Sequence, residues 1–141
     1  MKYMLIMRAV DQAAVEEYQQ RPFEEIIAEM GAYNESMITA GVMVDGAGLS
    51  DASEGAVVDF AAEEPVVTDG PYGELRELFN GYWTLEVSSK EEAIEWARRA
   101  PLGAGSQIEV RRVTGPEDFP QDNEWIQKEQ EWIAEGKARG N

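Results

Sequence analysis

Residues 2–8, KYMLIMR, constrain this chain more than any other stretch. Successive side chains of a strand point to opposite faces. Tyr3, Leu5 and Met7 therefore take one side, Met4 and Ile6 the other. Both sides are apolar, so a sheet built around this strand needs cover on both faces.

The rest of the pattern supplies one cover. Phe23, Ile26, Ile27, Met30, Tyr33, Met37 and Ile38 recur at helical spacing over 23–40. Pro22 suits the first turn, Glu24 and Glu25 suit the positive helix end, and Gly41 suits the stop. Residues 42–50 begin as a strand and end in glycines. Residues 55–61 and 64–68 read as the arms of a hairpin turning near Ala62 and Glu63. Residues 81–88 alternate, with Trp83, Leu85 and Val87 on one face and Tyr82, Thr84 and Glu86 on the other. A second helix follows Ser89, with Ser89 and Glu92 in capping-box register, and residues 107–113 form a last strand. From Thr114 onward, Trp125, Ile126, Trp132 and Ile133 repeat at seven residues, which marks a further helix with an apolar stripe.

Strand, helix, strand, hairpin, strand, helix, strand predicts an α+β sandwich of ferredoxin-like type over 1–113, with a C-terminal extension over 114–141. Two helices cover one sheet face. The second face predicts a homodimer packed sheet against sheet, a dimeric α+β barrel. The competing expectation is that the C-terminal helix folds back over that face. The stripe of the extension is expected to pack on its own domain or on the partner.

Composition narrows the chemistry. The 141 residues hold 28 acids against 12 Lys and Arg, a net charge of −16. No base occurs between Pro22 and Leu75. Such a surface repels phosphate backbones, so no nucleic-acid partner is expected. With no Cys and no His, thiol nucleophiles, disulfides, imidazole bases and thiolate or imidazole metal sites are excluded. Catalysis would fall to carboxylate, Tyr, Lys, Arg, Ser or Thr. The run YMLIM is too short for a signal core or a span, which points to a cytoplasmic protein with no membrane partner. Asn34-Glu35-Ser36 would then be an unused glycosylation sequon.

Residues 67–83, VTDGPYGELRELFNGYW, are too specific for an ordinary loop. Asp69 can accept a hydrogen bond from the Tyr72 N–H, Gly70 frees the backbone, and Pro71 fixes φ. The result is a rigid corner holding a carboxylate beside an aromatic ring. Arg76 is the first base after the acidic stretch and a candidate anion anchor.

This stretch resembles the signature of the YCII-related (DGPF) family through Asp69, Gly70, Pro71, Glu74, Glu77, Gly81 and Tyr82. Tyr72 stands where the family usually has Phe, Arg76 where it has Lys, and Leu75 where it has Thr. The resemblance extends to the first strand, to Tyr33, Asn34, Gly41, Gly48 and Leu49, and to residues 91–101 and 108–113. It implies a dimeric α+β barrel with a small-molecule cleft. A His–Asp pair proposed for some relatives has no counterpart here, because His is absent. Some members are associated with alternative sigma factors.

Two functional readings follow. In the first, a cleft binds a small molecule, with Asp69 as catalytic acid/base and Arg8, Tyr33, Asn34, Tyr72, Arg76 and Tyr82 as ligand-binding residues. Asp69 has a structural alternative as a turn cap, Tyr33 as a core ring, and Arg8 as the partner of a nearby acid. In the second, the chain is a non-catalytic dimeric interaction or regulatory module that presents an apolar patch at Trp125 and Trp132. Neither reading expects a cofactor or a metal. The spacing of Asp45, Asp51 and Asp69 fits no calcium loop, and GAGLSD lacks the third glycine of a dinucleotide fingerprint.

Overall fold

The computed structural model describes residues 1–70 and 78–137. Its elements run β1 (Lys2–Ala9), α1 (Gln12–Gln19), α2 (Phe23–Thr39), β2 (Met43–Gly48), β3 (Ala56–Asp59), β4 (Val66–Asp69), β5 (Phe79–Glu86), α3 (Lys90–Arg98), β6 (Ser106–Arg112) and α4 (Glu124–Ala134). The main sheet is ordered β2-β5-β1-β6, with every neighbouring pair antiparallel. With the β3–β4 hairpin set aside, this is the expected ferredoxin-like α+β order.

The apolar strand lies at the centre of that sheet. β1 pairs with β5 on one side (Leu5 opposite Trp83) and with β6 on the other (Leu5 opposite Val110). Its odd-numbered side chains meet the helices. Tyr3, Leu5, Trp83, Leu85 and Val87 from the sheet join Tyr33 and Met37 of α2, Ala93 and Trp96 of α3, and Val42 in one buried cluster. Leu5, Met37 and Leu85 are fully buried. α2 ends as its sequence requires, with Gly41 at φ +72°. At α3, Ser89 Oγ accepts from the Glu92 N–H as expected. The Glu92 carboxylate, however, takes the N–H and hydroxyl of Ser88, one residue earlier than a capping box would place it.

Helix α1 has no counterpart in the sequence pattern described above. Asp11 caps it by accepting from the Ala14 N–H, but none of its residues is buried, so it lacks the wide stripe that marks a core helix. It is held instead from far along the chain. Tyr18 donates to the Pro101 carbonyl at 2.9 Å. Its ring presses on Gly103, and Ala14 lies against Gly105, which sits at φ +90°. A side chain at either glycine would push the helix away.

Two parts lie outside the core cluster. The β3–β4 hairpin pairs Val58 with Val67 and leaves Val58, Phe60, Val66 and Val67 exposed. Helix α4, capped by Asn123, contains no buried residue. Trp125 is 59% exposed and Trp132 41%. The stripe expected to dock is therefore only partly covered in a single chain.

Candidate functional site

The two faces of the main sheet hold different chemistry. On the helix side, Tyr33 stands edge-on to Trp83, with ring centroids 5.2 Å apart. Its hydroxyl donates to the Trp96 carbonyl at 2.7 Å. Burial pushes its pKa up to about 12, with Arg99 partly opposing the shift. Asn34, the next residue of α2, accepts from Trp83 Nε1 at 2.9 Å. Tyr33 and Asn34 thus tie both helices to β5. Their polar atoms are spent on this seam, as buried polar groups require.

On the open face, the even-numbered residues of β1 come forward between β5 and β6. Ile6 lies opposite Tyr82 and Glu109. It is only 9% exposed, yet it is not part of the helix-side cluster. Around it stand Met4, Thr84 and two polar pairs. Arg8 Nη1 donates to Glu109 Oε1 at 2.7 Å. The second Glu109 oxygen is buried beside the Arg111 guanidinium without an aligned hydrogen bond. On the far side, Tyr82 Oη donates to Asp45 Oδ2 at 3.4 Å, a long bond with room to rearrange. A bulge in β2 between Met43 and Asp45 turns this carboxylate onto the Tyr82 face.

The predicted residues therefore divide. Arg8 and Tyr82 share the open face, on either side of Ile6, while Tyr33 and Asn34 lie in the helix layer behind it. Asp69 ends β4 on the hairpin, opposite Ala56, and is exposed. The corner continues through a Gly70 N–H bond to the Gly55 carbonyl at 2.8 Å. Gly70 also packs against the Ala52 carbonyl closely enough to forbid a side chain. Tyr72 and Arg76 lie outside the described residues.

Sequence reasoning missed Asp45 and Glu109 as members of the open face. In the sequence Asp45 stands out only as a metal-ligand candidate beside Asp51 and Asp69, and Glu109 lies 101 positions from the arginine it holds. Alternation within the last strand would have placed Glu109 and Arg111 opposite Ile108 and Val110. Asp51 has separate work: the Ser53 side chain, and then the Ser53 N–H at 2.9 Å, hydrogen-bond to its carboxylate and lower its pKa. Among the described residues, no three acidic side chains stand close enough to share a metal ion. No helix described is long and apolar enough to cross a membrane.

Three surface hollows lie elsewhere. One, of about 510 Å³, runs between α3 and β6 along Ile94, Ala97, Leu102, Ile108 and Val110. Another lies between α2 and α3 over Trp96, whose ring carries Arg99 at 3.7 Å. The third lies on the hairpin. None of the three contains Arg8, Tyr82 or Asp69.

Comparison with known proteins places this arrangement in a family. The sequence profile of the YCII-related domain matches residues 1–125. An uncharacterized protein of Rhizobium meliloti (strain 1021) is 25% identical over 88 residues, which cover 62% of this chain and 71% of that protein.

Proposed function

Because the chain belongs to the YCII-related domain family, we propose that it acts as a homodimer that binds a small organic molecule on the open face of its sheet. One observation carries this reading. Two polar pairs, Arg8–Glu109 and Tyr82–Asp45, flank the apolar Ile6 on the sheet face turned away from α2 and α3. A second copy packed against that face would exclude water and strengthen each polar contact. Arg8 would take a carboxylate by exchanging it for Glu109, since a guanidinium forks onto either partner. Tyr82 and Asp45 would supply a phenol donor and a carboxylate acceptor to the same ligand.

The proposed acid/base is Asp69, on the exposed hairpin, with Tyr72 and Arg76 following it in sequence. Tyr33 and Asn34 act as positioning residues, because they fix Trp83 and so the register of the neighbouring Tyr82. A second reading, a protein-binding module, is favoured by the exposed Trp125 and Trp132 of α4.

A thermal-shift screen against small carboxylates and phenols tests the proposal, repeated on Arg8→Gln, Tyr82→Phe and Asp69→Asn. A ligand at a hundred times its dissociation constant should add about 2.7 kcal/mol. Hits that disappear in Arg8→Gln and Tyr82→Phe, with the fold intact, support the open-face site. Loss in Asp69→Asn brings the hairpin into it. Hits that survive the first two substitutions remove the site from this face, and a screen without hits favours the protein-binding module.

A further inference from the structure

The two edges of the main sheet are built differently. β2 is blunted as an edge strand, with a bulge between Met43 and Asp45 and glycines at 46 and 48. β6 is seven residues long, holds an unbroken register with β1, and contains no Gly or Pro. The Val113 N–H bonds back to the Lys2 carbonyl at 2.9 Å. Backbone groups of an antiparallel strand alternate in direction. The odd-numbered residues of β6 therefore pair with β1, and Ile108, Val110 and Arg112 aim their N–H and C=O outward. Long regular edges with outward backbone groups invite another strand.

The side chains of β6 specify which strand fits. We infer that β6 docks antiparallel on β6 of a second copy, about a two-fold axis at Val110, joining two sheets into one. In this register Val110 meets its own copy as a hydrogen-bonded pair, and Ile108 meets Arg112 on either side. Glu109 then faces Arg111 of the second copy, and the relation repeats across the axis. These are non-hydrogen-bonded positions, where facing side chains come closest and opposite charges attract. Arg111 pairs with Glu109 of its own chain, and its side chain is 70% exposed, so it can exchange that partner for Glu109 of the second copy. On the helix side, the hollow between α3 and β6 exposes Ile94, Ala97, Ile108 and Val110 next to the axis. A second copy would cover its own hollow and this one together. An isologous contact needs a self-complementary strand, and Glu109-Val110-Arg111 is one.

This contact goes beyond the face-to-face packing proposed above and uses the backbone edge of β6; Glu109 and Arg111 also border the open face, so the backbone substitution at Val110 separates the two contacts. Sedimentation of the full chain and of Arg111→Glu tests it, since that substitution places like charges opposite one another across the axis. Val110→Pro is a second arm. Residue 110 gives no backbone bond to β1, so Pro removes no hydrogen bond of the existing sheet, only the outward donor and part of a side chain packed at the core margin, and circular dichroism checks the fold. The expected result is a wild-type assembly whose mass is halved in both variants. A Val110→Cys variant should cross-link to itself on mild oxidation, because Cα atoms of a hydrogen-bonded pair lie about 5.5 Å apart, within disulfide reach. A wild-type monomer overturns the inference, and so does an assembly unchanged by Arg111→Glu. A wild-type dimer that both Val110→Pro and Arg111→Glu reduce to monomer, and that Val110→Cys cross-links, supports the edge contact and removes the face-to-face one. A wild-type dimer that Arg111→Glu leaves intact does the opposite.

Discussion

The two faces of the β2-β5-β1-β6 sheet share one backbone and differ in how their polar groups are used. On the helix side the polar groups at the seam have short, committed partners: Tyr33 with the Trp96 carbonyl at 2.7 Å, Trp83 with Asn34 at 2.9 Å. On the open side the pairs are exchangeable. The Tyr82–Asp45 contact is long at 3.4 Å, and Arg8 shares Glu109 with Arg111. A committed bond fixes structure, whereas an exchangeable one leaves binding capacity. The comparison teaches that adjacent residues of one strand can serve these two ends, because alternation sends Trp83 to one face and Tyr82 to the other.

The largest contrast should appear in paired truncations on β1. Leu5→Ala removes a fully buried side chain, and urea denaturation should show a loss of about 2–5 kcal/mol. Met4→Ala, its neighbour on the open face, should cost well under half as much in the monomer. Equal losses would break the distinction between the faces. Next comes Asn34→Ala. It strands the Trp83 indole N–H inside the seam, and chemical denaturation should register about 1–3 kcal/mol.

Tyr33→Phe deletes one hydrogen bond and should cost about 1 kcal/mol. It also carries a pH signature. The folded pKa is raised above the ordinary 10.0 to about 12, so the stabilisation is full below 10 and is lost as pH rises toward 12. Stability curves of wild type and Tyr33→Phe should therefore converge over that alkaline range. At the small end, Tyr82→Phe should change monomer stability by less than about 0.5 kcal/mol while removing ligand response. The exposed Asp118 is held below its usual pKa by Arg112, so its small contribution is present at neutral pH and lost as pH falls through the acid range. An acid titration of Asp118→Asn should be correspondingly flatter.

Much of the fold was legible because it rests on local periodicity. The two-sided strand 2–8, the 23–40 stripe with its terminal glycine, and the alternation around Trp83 each need only a few adjacent residues to be read. Helix α1 escaped because its support comes from Pro101, Gly103 and Gly105. The candidate site was less legible for the same reason. Tyr82 meets Asp45 only through a bulged register between β2 and β5. Glu109 reaches Arg8 only because β1 and β6 are neighbours. Charge and aromaticity named Arg8, Tyr33, Asn34 and Tyr82, but only the tertiary arrangement sorts them into two that face outward and two that hold the helices.

The most direct test of the open face uses a single cysteine at Thr84 in this cysteine-free chain. Thr84 lies on that face beside Met4, its partner across β1. Alkylation of Thr84→Cys should be slow in concentrated protein and quicken on dilution, as a covering second copy dissociates. A rate independent of concentration, and equal to that of a control cysteine at the exposed Glu35, would contradict the account.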